Sequence, residues 1–231
     1  MSRVLASHQP DFFPYMGYFY KMFKSDIFVL SDDVQFSKSG RHNYNEILTA
    51  NGPHRFTLPV SQRVAKLNEI KIAADEHRIS TMVKTLWMEY KKADHFAEVF
   101  PVIEKLLWRA VDAESLADFN YGCIVGLAYM FGMMGRTAFV KSSALPVTQR
   151  RDARIIELCK ILNADVYYSG AGAKDYHVEE DYAANGIRLV YSDYQPIKYR
   201  QVGKPATENM SVIDYVMNCG FTLPRGWTKD E

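Results

Sequence analysis

VLASHQPDFFPYMGYFYKMFKSDIFVLSDDVQFSKSGRHNYN, residues 4–45, is the stretch whose reading decides the fold. An apolar run, Val4-Leu5-Ala6, meets the polar triplet Ser7-His8-Gln9 and then Pro10. Pro10 and Pro14 lack the amide hydrogen that strand pairing needs, so the backbone must leave the strand there. Beyond them, bulky groups at Tyr15, Met16, Phe19, Met22 and Phe23 follow helical spacing. Ile27-Phe28-Val29-Leu30 reads as a second buried strand, and Ser31-Asp32-Asp33 is polar immediately at its end. The order is strand, loop, helix, strand, which opens an α/β fold with an open, mainly parallel sheet.

In such sheets ligands bind outside the carboxyl ends of the strands, often where a helix N-terminus also points. His8, Gln9, Asp11, Asp32, Asp33 and Gln35 are therefore expected to converge on one crevice. Taken singly, each has a plainer reading: Asp32 and Asp33 as turn residues, His8 as a buried imidazole bonded to backbone. Six polar groups gathered at two strand ends favour a site.

The 231 residues suit one large domain or one domain with a helical insertion. A formal net charge of +1 argues against DNA or RNA as a partner, since nothing supplies a dominant attraction to phosphate backbones. The cysteines Cys123, Cys159 and Cys219 are odd in number and widely spaced. They make no metal-ligand pair and fit a reducing compartment; Cys123 and Cys159 fall on apolar helical faces and read as core. No signal-peptide pattern follows the N-terminal Met-Ser-Arg-Val, and the most apolar stretch, 123–134, is too short and glycine-rich to span a bilayer. The expectation is a soluble cytoplasmic protein with no metal site and neither membrane nor nucleic acid as partner.

Residues 34–54 alternate basic and amide side chains, and Lys38, Arg41, His42, Asn43 and Asn45 offer donors suited to phosphate or carboxylate oxygens. A solvated basic loop is the plainer alternative. Asn51-Gly52 signals a turn, so 46–49 and 55–60 can pair as a hairpin, and the alternation at 67–72 predicts a further short strand. Three amphipathic helices follow, over 77–92, 94–110 and 115–134, with Pro101 marking a kink or boundary. The sheet pattern then returns: strands at 137–141, 164–168 and 187–191, helices at 148–162, 179–185 and 211–217, and an ordered loop over 193–201. Arg150, Arg151 and Arg154 stand near the start of a helix, against its dipole unless an anion or carboxylate is present. The chain thus divides into an N-terminal α/β unit with a small β-hairpin (1–75), a central helical subdomain (76–135) and a C-terminal α/β part completing the sheet (136–231).

A second informative segment is the turn after the 164–168 strand, Ser169-Gly170-Ala171-Gly172-Ala173-Lys174-Asp175-Tyr176. Its glycines let backbone amides approach a charged ligand, and Lys174 can neutralise a phosphate or carboxylate. The spacing is neither a Walker loop nor a dinucleotide fingerprint, and a tight structural turn with a surface lysine accounts for it as well.

HQPDFFPYMGYFYKMFKSDIFVLSDDVQFSK at 8–38, Leu-Pro-Val at 58–60, YYSGAGAKDY at 167–176 and Tyr-Arg-Gln at 199–201 together resemble the WbqC-like family over nearly the whole chain. That family usually has an arginine between two asparagines where this chain has Asn43-Tyr44-Asn45. The resemblance implies bacterial origin and a role in surface-polysaccharide (O-antigen) and amino-sugar biosynthesis or other small-molecule pathways. The unit around Tyr15-Met16-Gly17-Tyr18 is also similar to the opening of the nucleotidyltransferase and pantothenate-synthetase superfamily, with tyrosines where that superfamily has histidines. This second resemblance implies that core architecture, with Gly17 near nucleotide phosphates; the tyrosines carry no positive charge for them.

Three functions follow as expectations. In the first, a transferase forms an amide or acyl linkage on an amino group of a small metabolite such as an amino-sugar nucleotide. His8 is then the general base and Asp32 or Asp33 orients the imidazole or binds the ammonium. Gln9, Asp11, Tyr15, Gly17, Tyr18, Gln35, Lys38, Asn43 and Asn45 bind the substrate's polar groups. Ser169, Gly170, Gly172, Lys174 and Tyr176 hold a phosphate- or carboxylate-bearing part. In the second, the same residues hold ATP, with magnesium on Asp32 or Asp33, for nucleotidyl or adenylyl transfer. In the third, the chain is a non-catalytic scaffold in a biosynthetic complex.

Overall fold

A strand covered by helices on both faces must be apolar throughout, and Ile27-Phe28-Val29-Leu30 is fully buried along its length. In the computed structural model, which describes residues 2–202 and 207–227, the strands are β1 (Val4–His8), β2 (Ile27–Leu30), β3 (Tyr44–Thr49), β4 (Gly52–Thr57), β5 (Ala138–Lys141), β6 (Val166–Ser169) and β7 (Arg188–Tyr191). Five of them form a parallel sheet in the order β5-β2-β1-β6-β7, and β3 and β4 pair as a separate antiparallel hairpin. Counted along the chain, the sheet strands run third, second, first, fourth, fifth. The connection direction therefore reverses between β1 and β6.

Alternation along the strands sorts the core into two layers. Ala6, Phe28, Leu30 and Tyr168 point to one face, where α1 (Met16–Phe23), α2 (Glu76–Tyr90), α3 (Phe96–Trp108), α4 (Leu116–Met130) and α7 (Val212–Cys219) share one apolar cluster. Leu5, Ile27, Val29 and Tyr167 point to the other, where they meet α5 (Arg151–Ile161) through Ile156, Leu158 and Cys159 and α6 (Glu179–Ala184) through Tyr182. Helix α1 is buried at all eight positions. The helices of 76–130 are thus packed into the same core as the N-terminal unit.

Residues 67–72 depart from the sequence expectation. Leu67–Glu69 is a 3₁₀ turn, and only Ile72 makes a bridge, to Val60. The cause is spacing: Leu67 and Ile70, three residues apart, are both fully buried, which a turn satisfies and a strand does not. The hairpin starts two residues earlier than its apolar pattern suggests, at Tyr44, and β4 ends at Thr57, ahead of Pro59, which has no amide to donate. Pro101 lies in the second turn of α3.

Helix α7 is tied to the helical layer by a buried carboxylate. Asp214 accepts from Tyr90 Oη at 2.8 Å, Tyr199 Oη at 2.6 Å and Gln201 Nε2 at 2.6 Å. Burial raises its pKa although all three bonds work the other way. Removing it takes the acceptor from the buried Tyr90 and the half-buried Tyr199 and Gln201, so Asp214→Ala should cost about 3 to 5 kcal/mol in urea unfolding, and Asp214→Asn distinctly less. A loss below about 1 kcal/mol for the alanine variant would show that the carboxylate does not anchor α7.

Candidate active site

Where two adjacent strands send their connections in opposite directions, the helices part and leave a crevice over the carboxyl ends. Here that crevice is a cavity of about 770 Å³. Ser7 and His8 reach it from the end of β1, Ser31 from just past β2, Ser169 from β6 and Ser192 from just past β7. One side is completed by Gln9 and by Tyr15, Gly17, Tyr18 and Lys21 at α1; the other by Arg151, Asp152 and Arg154 of α5 and by the turn from Gly170 to His177.

On the α1 side, His8 Nδ1 lies 3.0 Å from the Gln9 carbonyl oxygen. A carbonyl only accepts, so Nδ1 carries the hydrogen and the lone pair of the neutral ring sits on Nε2. Burial lowers the pKa of His8, outweighing the opposing pull of Asp11, whose carboxylate is 3.7 Å away. The Gln9 carbonyl also accepts from Tyr18 Oη at 2.9 Å, and the His8 and Tyr18 rings meet edge to face at 4.7 Å. A Cβ on Gly17 would enter the space of the Tyr15 ring, which would have to swing aside to admit it. Lys21 Nζ donates to the Ser7 carbonyl oxygen at 2.7 Å, and burial brings its pKa down to about 8.

Across the cavity a chain of hydrogen bonds links three side chains. Ser169 Oγ is 2.8 Å from His177 Nε2, and His177 Nδ1 is 2.6 Å from Asp152 Oδ1. Asp152 also accepts from the Val178 amide at 2.9 Å and from Tyr182 Oη at 3.0 Å. Burial works to raise the Asp152 pKa, but the bonds from Val178, His177 and Tyr182 win and hold it below the usual carboxylate value. An ionised Asp152 keeps the hydrogen on Nδ1, which leaves Nε2 to accept from the Ser169 hydroxyl.

Of the residues singled out from sequence, His8, Gln9, Tyr15, Gly17, Tyr18, Ser169, Gly170, Gly172 and Tyr176 line the cavity. Arg151 and Arg154, noted at the start of their helix, line it too, and the remaining candidates lie outside that lining. Asp11 sits behind His8 and holds the buried His42 Nδ1 at 2.9 Å. Asp32 accepts from the Ser143 amide at 2.9 Å and Ser143 Oγ at 2.5 Å, and Asp33 pairs with Arg154 at 2.5 Å. Both therefore fasten the end of β2 to the turn after β5 and to α5. Magnesium in the nucleotidyl-transfer reading would need these carboxylates as donors, and their geometry does not fit that use. Asn43 Nδ2 donates to the Leu58 carbonyl at 2.9 Å, and Asn45 Nδ2 to those of Phe13 at 2.8 Å and Phe12 at 3.3 Å. Gln35, bridged to Lys66, and Lys38 and Lys174 are exposed.

The cations on the lining are instead Lys21, Arg151 and Arg154. Arg151 has a left-handed backbone, φ 54°, a conformation costing a non-glycine residue about 1 to 3 kcal/mol and concentrated at functional sites. Lys21 had a legible signal: it is the charge inside MGYFYKMF, an otherwise apolar and aromatic helix. Asp152 and His177 had none, because 25 residues separate them and only tertiary packing brings α5 against the glycine turn.

Comparison with known proteins supports the family resemblance. A model of the WbqC-like protein family matches residues 9–225. A protein of Mycobacterium tuberculosis, named Uncharacterized protein Rv1507c, is 26% identical over 226 residues, covering 96% of each chain. No solved structure matches. Among the described residues, no helix is long and apolar enough to cross a membrane.

The buried Lys21 makes a measurable pH signature. Its folded pKa of about 8 lies below the ordinary lysine value, so between pH 8 and 10.5 the unfolded chain binds the extra proton and stability rises with pH. Relative to Lys21→Met, the protein should gain on the order of 3 kcal/mol of unfolding free energy across that window. Parallel pH curves for the two proteins in chemical denaturation would show that Lys21 is not buried as a charge.

Proposed function

The chain belongs to the WbqC-like protein family, and from that premise we propose that it is an acyltransferase forming an amide on an amino group of a small metabolite, such as an amino-sugar nucleotide in surface-polysaccharide biosynthesis. The observation that carries this reading is His8, a histidine whose pKa is lowered by burial and whose bond to Gln9 leaves the lone pair on Nε2, opening on a cavity that also holds cations. An ammonium group attacks a carbonyl carbon only after losing a proton, and His8 Nε2 is a base of suitable strength near neutral pH. The Lys21 ammonium stabilises negative charge on the carbonyl oxygen as the carbon becomes tetrahedral. Arg151 and Arg154 match a phosphate- or carboxylate-bearing substrate, Arg154 keeping Asp33 as its partner.

Phosphoryl chemistry is less well served. Tyr18, standing where a phosphate-binding histidine would be, already donates its hydroxyl to the Gln9 carbonyl. A volume of about 770 Å³ is within the range of small-molecule sites and leaves room for a nucleotide-linked sugar.

The test is acyl transfer from thioester donors to amino-sugar nucleotides, followed by mass spectrometry of the amide. His8→Gln should lower kcat/KM by about 10²-fold or more. In the unmodified protein, activity should fall on the acid side as pH drops through the lowered pKa of His8, because the protonated ring cannot accept the substrate's proton. A His8→Gln protein that transfers at the full rate sinks this assignment.

A further inference from the structure

We propose that Ser169 is a nucleophile that carries the acyl group as a covalent ester, with His177 as its base and Asp152 as the residue that positions His177. The identity of the acyl donor rests on the acyl-transfer reading; the nucleophile rests on separate atoms, across the cavity from His8.

A serine bonded to a histidine is common on protein surfaces, and three features distinguish this pair. The chain runs Ser169 Oγ to His177 Nε2 at 2.8 Å and His177 Nδ1 to Asp152 Oδ1 at 2.6 Å, so both ring nitrogens are engaged in the sense that makes Nε2 a base toward the hydroxyl. The carboxylate is itself fixed, by the Val178 amide and by the Tyr182 hydroxyl, which lies 3.0 Å from His177 Nδ1 as well. All three residues line the cavity.

The turn after Ser169 adds space. A Cβ on Gly170 or Gly172 would meet nothing within 4 Å, so packing does not demand glycine at either place. Glycine at both places leaves that space open beside the serine, where an acyl oxygen would sit. The cysteine thiols are poor rivals, since burial raises Cys123 strongly, Cys159 to about 12 and Cys219 to about 11.

The donor is an acyl thioester or activated ester. Ser169 Oγ attacks the acyl carbon as its proton passes to His177 Nε2, forming a C–O bond. The bond from carbon to the donor's sulfur or oxygen breaks, and the imidazolium returns its proton to that leaving group. The acceptor enters as an ammonium and gives its first proton to His8, which later releases it to solvent. The free amine then attacks the ester carbon and passes a second proton to His177 Nε2. A C–N bond forms, the bond from carbon to Ser169 Oγ breaks, and His177 hands that proton to the departing serine oxygen.

The test is covalent labelling of the intact protein with a fluorophosphonate, which phosphonylates activated serines and requires neither donor nor acceptor. One adduct is expected, mapped to Ser169 by peptide mass spectrometry, absent in Ser169→Ala and slowed about 10³-fold in His177→Gln. Ser169→Cys guards against loss of fold: its thiol, beside His177, should be alkylated by iodoacetamide at pH 6.5 far faster than the native cysteines, and His177→Gln in that background should remove the advantage. Asp152→Asn should slow labelling and change its pH profile, which loss of packing alone would not do. No adduct, an adduct elsewhere, or an unreactive thiol in a folded Ser169→Cys protein overturns the proposal. Labelling at Ser169 without amide formation on any amine would instead leave the nucleophile standing and remove the acyltransferase reading, while amide formation by a protein that never labels would do the reverse.

Discussion

A peptide carbonyl taken out of water must find a donor, and the loop between β1 and α1 is largely buried, with prolines at both ends. Its carbonyls are met from distant parts of the chain. Asn120 of α4 donates to Pro10 at 2.8 Å and to His42 at 2.7 Å. Asn45 of the hairpin and Ser211 ahead of α7 both donate to Phe13, each at 2.8 Å, and the Val212 amide donates to Pro14 at 3.0 Å. Phe13 itself is left-handed, φ 41°, a conformation that holds only because its surroundings over-determine it. Hairpin, helical layer and C-terminal helix are thus fastened to one segment, and that segment aims His8.

The same constraint gives the cavity its chemistry. Because the loop and α1 are enclosed, His8 and Lys21 are both shifted toward their neutral forms by burial. Across the gap, Asp152 keeps its charge through three hydrogen bonds from its surroundings. One side therefore favours neutral nitrogen and the other a stabilised carboxylate. Pairs of groups whose environments push their proton affinities apart are how a single pocket offers acid and base at one pH.

Much of the fold was legible because burial on both faces leaves long apolar runs, and residues 4–45 show two of them with a helix between. The polar ends of β1 and β6 likewise marked the rim where the cavity opens. What the sequence conceals is which polar groups serve the backbone. Asn43 and Asn45 have the side chains of ligand-binding residues, yet their amides satisfy the carbonyls of Leu58, Phe12 and Phe13. Asp32 and Asp33 stand at a strand end, yet serine hydroxyls and Arg154 claim them. Partnerships of this kind join different elements, from 15 residues apart for Asn43 and Leu58 to 121 for Asp33 and Arg154, and no local pattern encodes them.

The strand order bears on how the chain reaches this state during synthesis. β1 gains its first neighbour, β2, within 30 residues, but its other edge is covered only when β6 emerges at Val166. Until then the central strand presents unpaired amides and carbonyls along one side, a template for pairing with another nascent chain. A ribosome-bound fragment that stops short of β6 holds His8 and Lys21 but neither Ser169 nor His177, so it carries half a pocket beside an open seam. Closing that seam and bringing the two halves of the pocket together are one event.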